Sequence, residues 1–152
     1  MAGVTNRGKK ILLELALNDT ALGASLATFY ACLVTADDVP DADTNVLADL
    51  TEVGPGNGYT AGGLAIPRSA WTMAEDDTGN LAYAMRDFYW TADGGFLPAT
   101  GYARYVVLCT DSAAHDVVCY FDLADPDGVG GRRVEDSEQF YIVDFKIQGA
   151  ES

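Results

Sequence analysis

Apolar and polar positions alternate along several short stretches of this chain, and that period of two predicts strands. Phe140 and Ile142 stand against Tyr141 and Val143, and Tyr83 and Met85 against Ala84 and Arg86, so these stretches have two distinct faces. Strand character, rich in β-branched and aromatic residues, runs over 27–35, 70–74, 81–91, 103–110, 117–123 and 139–148. Turn chemistry separates these stretches at Asp76-Asp77-Thr78-Gly79, Asp93-Gly94-Gly95 and Pro126-Asp127-Gly128. Residues 44–53 are ambiguous, with a helical turn over Asn45–Leu50 and an edge strand over Leu50–Val53 that leads into a glycine run as the reading.

One stretch has a different period. Residues 9–17 are strong helix formers, with Ile11, Leu12, Leu15 and Ala16 on one face at helical spacing. Thr5 or Asn6 is placed to cap this helix. Lys9 and Lys10 in its first turn oppose the helix dipole, which points to an outside contact that favours positive charge.

The run Gly56-Asn57-Gly58-Tyr59-Thr60-Ala61-Gly62-Gly63 is expected to reverse at Asn57-Gly58 and again at Gly62-Gly63, with Tyr59 to Ala61 extended between. Many short strands with regular turns predict a mainly β fold, an antiparallel, jelly-roll-like β-sandwich with a short N-terminal α-helix. No repeat or linker divides the chain, so 1–152 reads as one domain, with 1–20 its N-terminal arm or helix.

Composition sharpens this picture. A chain of 152 residues is long enough to bury roughly 70% of its unfolded surface, and its 49% hydrophobic content argues against disorder. Aspartate and glutamate number 23 against nine lysines and arginines, a net charge of −14 that repels phosphate backbones and anionic lipid. Nucleic-acid and membrane partners are therefore not expected, and no apolar run approaches the ~20 residues of a membrane span. The basic residues cluster weakly, as Arg7, Lys9 and Lys10 near the start and Arg132 and Arg133 near the end, two small positive patches suited to an acidic neighbour. Cys32, Cys109 and Cys119 have no zinc spacing and are expected as buried free thiols, although a 102–110/117–123 hairpin would set Cys109 opposite Cys119.

Catalytic constellations are sparse. His115 is the only histidine, which removes His-Glu-x-x-His and other multi-histidine metal sites, and its polar surroundings read as a solvent-exposed turn. No glycine-flanked serine resembles a nucleophile elbow and no phosphate-binding glycine loop is present. Asp41, Asp43, Asn45 and Glu52 reproduce most of a calcium-loop spacing, but Val46 stands where a sharp turn needs glycine, so a solvated acidic loop is the better reading. Asp122, Asp125 and Asp127 read as a proline-initiated turn, with an ion site as the alternative. Glu75-Asp76-Asp77 reads as a hairpin tip rather than a glycosidase pair. Neither a cofactor nor enzymatic activity is expected. The run Phe88-Tyr89-Trp90, with Trp71 and Tyr83, reads as core packing or as a sugar-stacking face. Consecutive aromatics must point both ways, which favours contact with a second sheet or a neighbouring subunit.

Several segments together resemble a family of small virion proteins of tailed bacteriophages. They are Thr5-Asn6-Arg7-Gly8-Lys9-Lys10-Ile11-Leu12, Asp43-Thr44-Asn45 with Leu50-Thr51-Glu52, the glycine run 56–63, Trp90-Thr91-Ala92-Asp93-Gly94-Gly95, and Ala103-Arg104-Tyr105-Val106-Val107-Leu108. The resemblance implies a β-sandwich that decorates or cements the outer surface of a capsid, with the major capsid protein and copies of itself, commonly as a trimer, as partners. It implies localisation to the virion exterior after assembly in the host cytoplasm, and it carries no catalytic residues. On this reading Arg7, Lys9, Lys10, Phe88 and Trp90 are the expected capsid or subunit contacts. The alternative is a tail or head-fibre component that binds host-surface carbohydrate.

Overall fold

A computed structural model describes residues 2–17, 27–75 and 82–149, and in it the alternating stretches become two antiparallel sheets that share one apolar interior. The strands are β1 (Ala2–Val4), β2 (Thr28–Val34), β3 (Leu64–Pro67), β4 (Thr72–Glu75), β5 (Ala82–Thr91), β6 (Tyr105–Cys109), β7 (Val117–Asp122) and β8 (Gln139–Gly149), with helix α1 (Asn6–Leu17) between β1 and β2. One sheet has the order β1-β7-β6-β2-β3 and the other β4-β5-β8. The fold is thus mainly β and sandwich-like, as its pattern predicts.

The inner faces explain the sandwich. Ala31, Leu33, Val106, Leu108 and Cys119 from the larger sheet meet Phe88, Trp90, Phe140, Ile142 and Phe145 from the smaller. The opposite face of the larger sheet is also buried: Cys32, Val34, Tyr105, Val107 and Cys109 lie under Leu47 and Leu50 from the long β2–β3 connection. A strand covered on both faces reads as a continuous apolar run, which is why β6 and the first part of β7 show no alternation.

Two β-bulges reset the faces. In β8, Ile142 pairs with Phe88 and Phe145 with Arg86, so β8 carries one residue more than β5 there, and both Ile142 and Phe145 point inward although three apart. In β7, Leu108 pairs with Cys119 but Cys109 with Val117. The extra residue, Val118, leaves the alternation and packs with Ile11 of α1 and Phe29. The hairpin register overturns the expected opposition of Cys109 and Cys119: Cys119 is paired with Leu108 before the bulge is reached, the two cysteines fall on opposite faces of the sheet, and all three cysteines are free and buried. The neighbour of Cys109 is instead Cys32, whose thiol is pushed far above the ordinary range by its hydrogen bond with Cys109 and by burial.

Thr5 caps α1: its Oγ1 accepts the Gly8 amide at 2.8 Å and donates to the Val117 carbonyl. The helix has no acid in its own first turn, but acids from elsewhere fill that place. Asn6 Nδ2 donates to Asp43 Oδ1 at 3.0 Å and Arg7 pairs with Asp116 at 3.0 Å. The helix comes so close to β7 that a Cβ at Gly8 would lie 1.9 Å from the Val118 carbonyl oxygen.

The glycine run makes its two reversals. Asn57 and Gly58 both have positive φ, and Gly56 and Tyr59 exchange two backbone hydrogen bonds across them. The second turn closes from the Gly63 amide to the Thr60 carbonyl, so Ala61 lies in the turn rather than in an extended segment. Between the turns Tyr59 is buried, and its hydroxyl accepts the Leu33 amide at 3.0 Å and donates to Glu52 Oε1 at 2.7 Å.

Of the other expectations, 44–53 forms a short 3-10 turn over Leu47–Asp49, and the edge strand reduces to one bridge from Glu52 to Val34. β1 and β3 were not signalled by the pattern. The tip at residues 76–79 lies outside the described residues, as do the side chains of Leu12, Leu15, Ala16, Tyr83 and Met85.

Candidate interaction surface

The smaller sheet has one face in the core and one turned outward, and the outward face carries exposed apolar side chains. Tyr89 of β5 and Tyr141 of β8 are directly paired across the strands, 46% and 49% exposed, with ring centroids 5.3 Å apart and planes 11° from parallel. Val143 beside them is 59% exposed. Phe88 and Trp90, the expected subunit contacts, are buried instead and pack edge-to-face on one another at 5.6 Å. The period of two decides this: if residues 88 and 90 line the core, residue 89 must face out. Tyr89 is therefore the aromatic of that run available to a partner.

Next to Tyr141 the surface sinks into an open groove of about 340 Å³, whose walls include Tyr102, Val129, Arg132, Arg133, Gln139 and Tyr141. The strand pairings that build it are local. Leu97 bridges Val134, and Ala103 bridges Arg132, so the 129–134 segment is fastened to the 97–103 segment. Gly131 makes this possible, since a Cβ there would lie 2.3 Å from the Ala103 carbonyl oxygen and its φ is +145°. Arg133 lies over two rings, 4.0 Å from the Phe96 centroid and 4.9 Å from that of Tyr102. Arg132 Nε donates to the Leu123 carbonyl. Among the described residues neither guanidinium has a carboxylate within ion-pairing distance, although Asp127 also lines the groove. In a chain with 23 acids and nine bases, two adjacent arginines without an acid partner among the described residues are a notable placement.

The first positive patch differs. Arg7 pairs with Asp116, and Lys9 and Lys10 are at exposed positions on α1, about one turn beyond the cap. The fold sets these residues on the helix and not beside the arginine groove's lining.

The remaining candidates have structural employment. Glu52 Oε1 accepts both the Tyr59 hydroxyl and the Gly62 amide, and Asp41 Oδ1 accepts the Asp43 amide and the Thr44 hydroxyl, so the calcium-like spacing is divided between two unrelated networks. Asp122 pairs with Arg104 at 2.9 Å, and Asp125 accepts the amides of Gly130 and Val129 at 2.8 and 2.9 Å. These contacts organise the 122–130 loop around a guanidinium and its own amides. The Gly130 amide is the main influence holding the Asp125 carboxyl below its usual range. Burial acts to raise that of Asp122, but the Ala124 amide and Arg104 outweigh it. His115 is half-buried, not exposed; it packs edge-on against Tyr30 at 5.4 Å in a left-handed turn. Trp71 is half-buried with edge-type ring contacts to Phe29 and Phe145, and Trp90 is buried.

Comparison of the chain with family models, with curated proteins and with solved structures finds no match.

Proposed function

We propose that the chain is a virion structural protein that decorates or cements the outer surface of a bacteriophage capsid, acting through contacts with the major capsid protein and with copies of itself. The carrying observation is the outward face of the smaller sheet, where Tyr89, Tyr141 and Val143 are exposed beside the arginine groove. Tyrosine and arginine are the residues that dominate protein interfaces, because each joins a broad apolar surface to a polar end. The strongly acidic remainder supports an outer position, since a surface against packaged DNA is favoured by positive charge. The sequence resemblance supports the virion as the setting.

In this role the chain does mechanical work. Contacts of ordinary size, repeated around a symmetric shell, add through multivalency and resist internal pressure. The test is quantitative mass spectrometry of purified particles with wild-type and Tyr141→Asp chains. A fixed copy number per major capsid protein in the first, and a several-fold lower one in the second, is expected; particles free of this polypeptide overturn the reading.

A further inference from the structure

The groove and the loop after β2 of the same chain are complementary. Val39 is the most exposed large apolar side chain among the described residues, at 68%. It follows Asp37 and Asp38 in the connection after β2, and all three are exposed. The loop holds its shape through its carboxylates: Asp37 Oδ2 accepts the Thr35 hydroxyl and Asp38 Oδ2 accepts the Thr51 hydroxyl, both at 2.7 Å. Among the described residues each of these carboxylates accepts through that one oxygen. None of residues 36–39 lines the groove of its own chain.

We propose that this acidic loop docks in the arginine groove of a second copy of the chain. Val39 lies against the apolar wall formed by Tyr102, Val129 and Tyr141, while Asp37 and Asp38 meet the guanidinium groups of Arg132 and Arg133. The argument is one of charge and shape. A surface with a net charge of −14 repels its own copies wherever acids face acids, so self-contact is favoured where an unpaired basic site meets an acidic element. Arginine suits this role because its planar fork matches a carboxylate, and Arg133 is already held in place by Phe96 and Tyr102. An aliphatic tip between two acids completes the match, since it fills the apolar part of the groove that charge alone leaves wet. Loop and groove are different surfaces, so the contact closes reciprocally in a pair or head-to-tail in a ring. The proposal rests on reading this face as an assembly surface and names its partner.

The test is a charge swap on the full chain, read by sedimentation velocity over a concentration series. Wild type is expected to self-associate, weakly for a single loop in a groove. Arg132→Glu/Arg133→Glu and Asp37→Lys/Asp38→Lys are each expected to weaken association on the order of tenfold or more. Mixing the two reversed variants is expected to restore it, because the Lys loop then meets the Glu groove. Arg133→Glu alone and Val39→Asp, both at exposed positions, serve as milder variants, with unchanged circular dichroism as the folding control. A monomeric wild type, association indifferent to both reversals, or a mixture no tighter than its components overturns the proposal. A monomeric chain that still decorates particles removes this contact and leaves the virion reading standing; a self-associating chain missing from particles does the reverse.

Discussion

Single residues carry much of this fold, and Tyr59 is the clearest case. Its hydroxyl satisfies the buried Leu33 amide and donates to Glu52, linking the glycine run to the middle of β2. Tyr59→Phe leaves the Leu33 N–H unpaired beside a carboxylate that has lost a donor, and is expected to cost about 1–3 kcal/mol in denaturant unfolding. Gly8 is required by space rather than by turn geometry, because the Val118 carbonyl occupies the position of its missing Cβ. Gly8→Ala is expected to lower the thermal midpoint by forcing α1 from β7, a cost of about 1–3 kcal/mol or more. The sequence carries Asn57-Gly58 as an open signal of its turn, since that pair favours positive φ. Gly8 sits in a helix without such a signal, and its role depends on a strand more than a hundred residues away. Likewise, Phe88-Tyr89-Trp90 announces two faces but not which one is inside.

At the level of elements, local pattern was enough wherever one face of a strand is wet. The separation of Phe140 and Ile142 from Tyr141 and Val143 onto two faces follows from alternation, and the structure places the first pair inside. The place of Phe145 does not follow from it, because the bulge in β8 restores it to the core after a skipped step. β1 and β3, at three and four residues, are too short for a period to emerge, and they exist because longer neighbours offer them edges to pair with. The 122–130 loop makes a prediction about acid. Asp122 and Asp125 both have carboxyls below the ordinary aspartate value, so their contribution to stability is fully present above that value and is lost as pH falls through their lower folded values. Thermal unfolding followed from neutral to strongly acidic pH is expected to show this loss, and Asp125→Asn is expected to flatten that part of the profile. An unchanged acid limb in the variant would remove Asp125 from the account.

At the scale of the whole molecule, the sandwich hides its thiols and shows its tyrosines. Cys119 is pushed up to about 12 by burial, and Cys32 and Cys109 lie beneath the β2–β3 connection. The native protein is therefore expected to resist a thiol-alkylating reagent, with all three cysteines modified only after unfolding and without prior reduction, as read by intact mass. A pair that needs reduction first would contradict the three free thiols.

The docking surface was only partly legible. Arg132 and Arg133 stand out as a basic pair in an acidic chain, but Phe96 and Tyr102, which hold Arg133, and Tyr141, which forms the next wall, are brought together only by the closed fold. Phe88 and Trp90 stand in a run of three consecutive aromatics, and the core claims them. Lys9 and Lys10 remain exposed on α1, so their charge reversal is expected to lower particle occupancy if the helix also meets the shell.

The most direct test of the central claim is density for the intact particle, with this chain placed in it. The account predicts copies on the outer shell, with Tyr89, Tyr141 and the arginine groove covered by neighbouring subunits. Particles that lack the chain, or copies whose smaller sheet faces open solvent throughout, would contradict it.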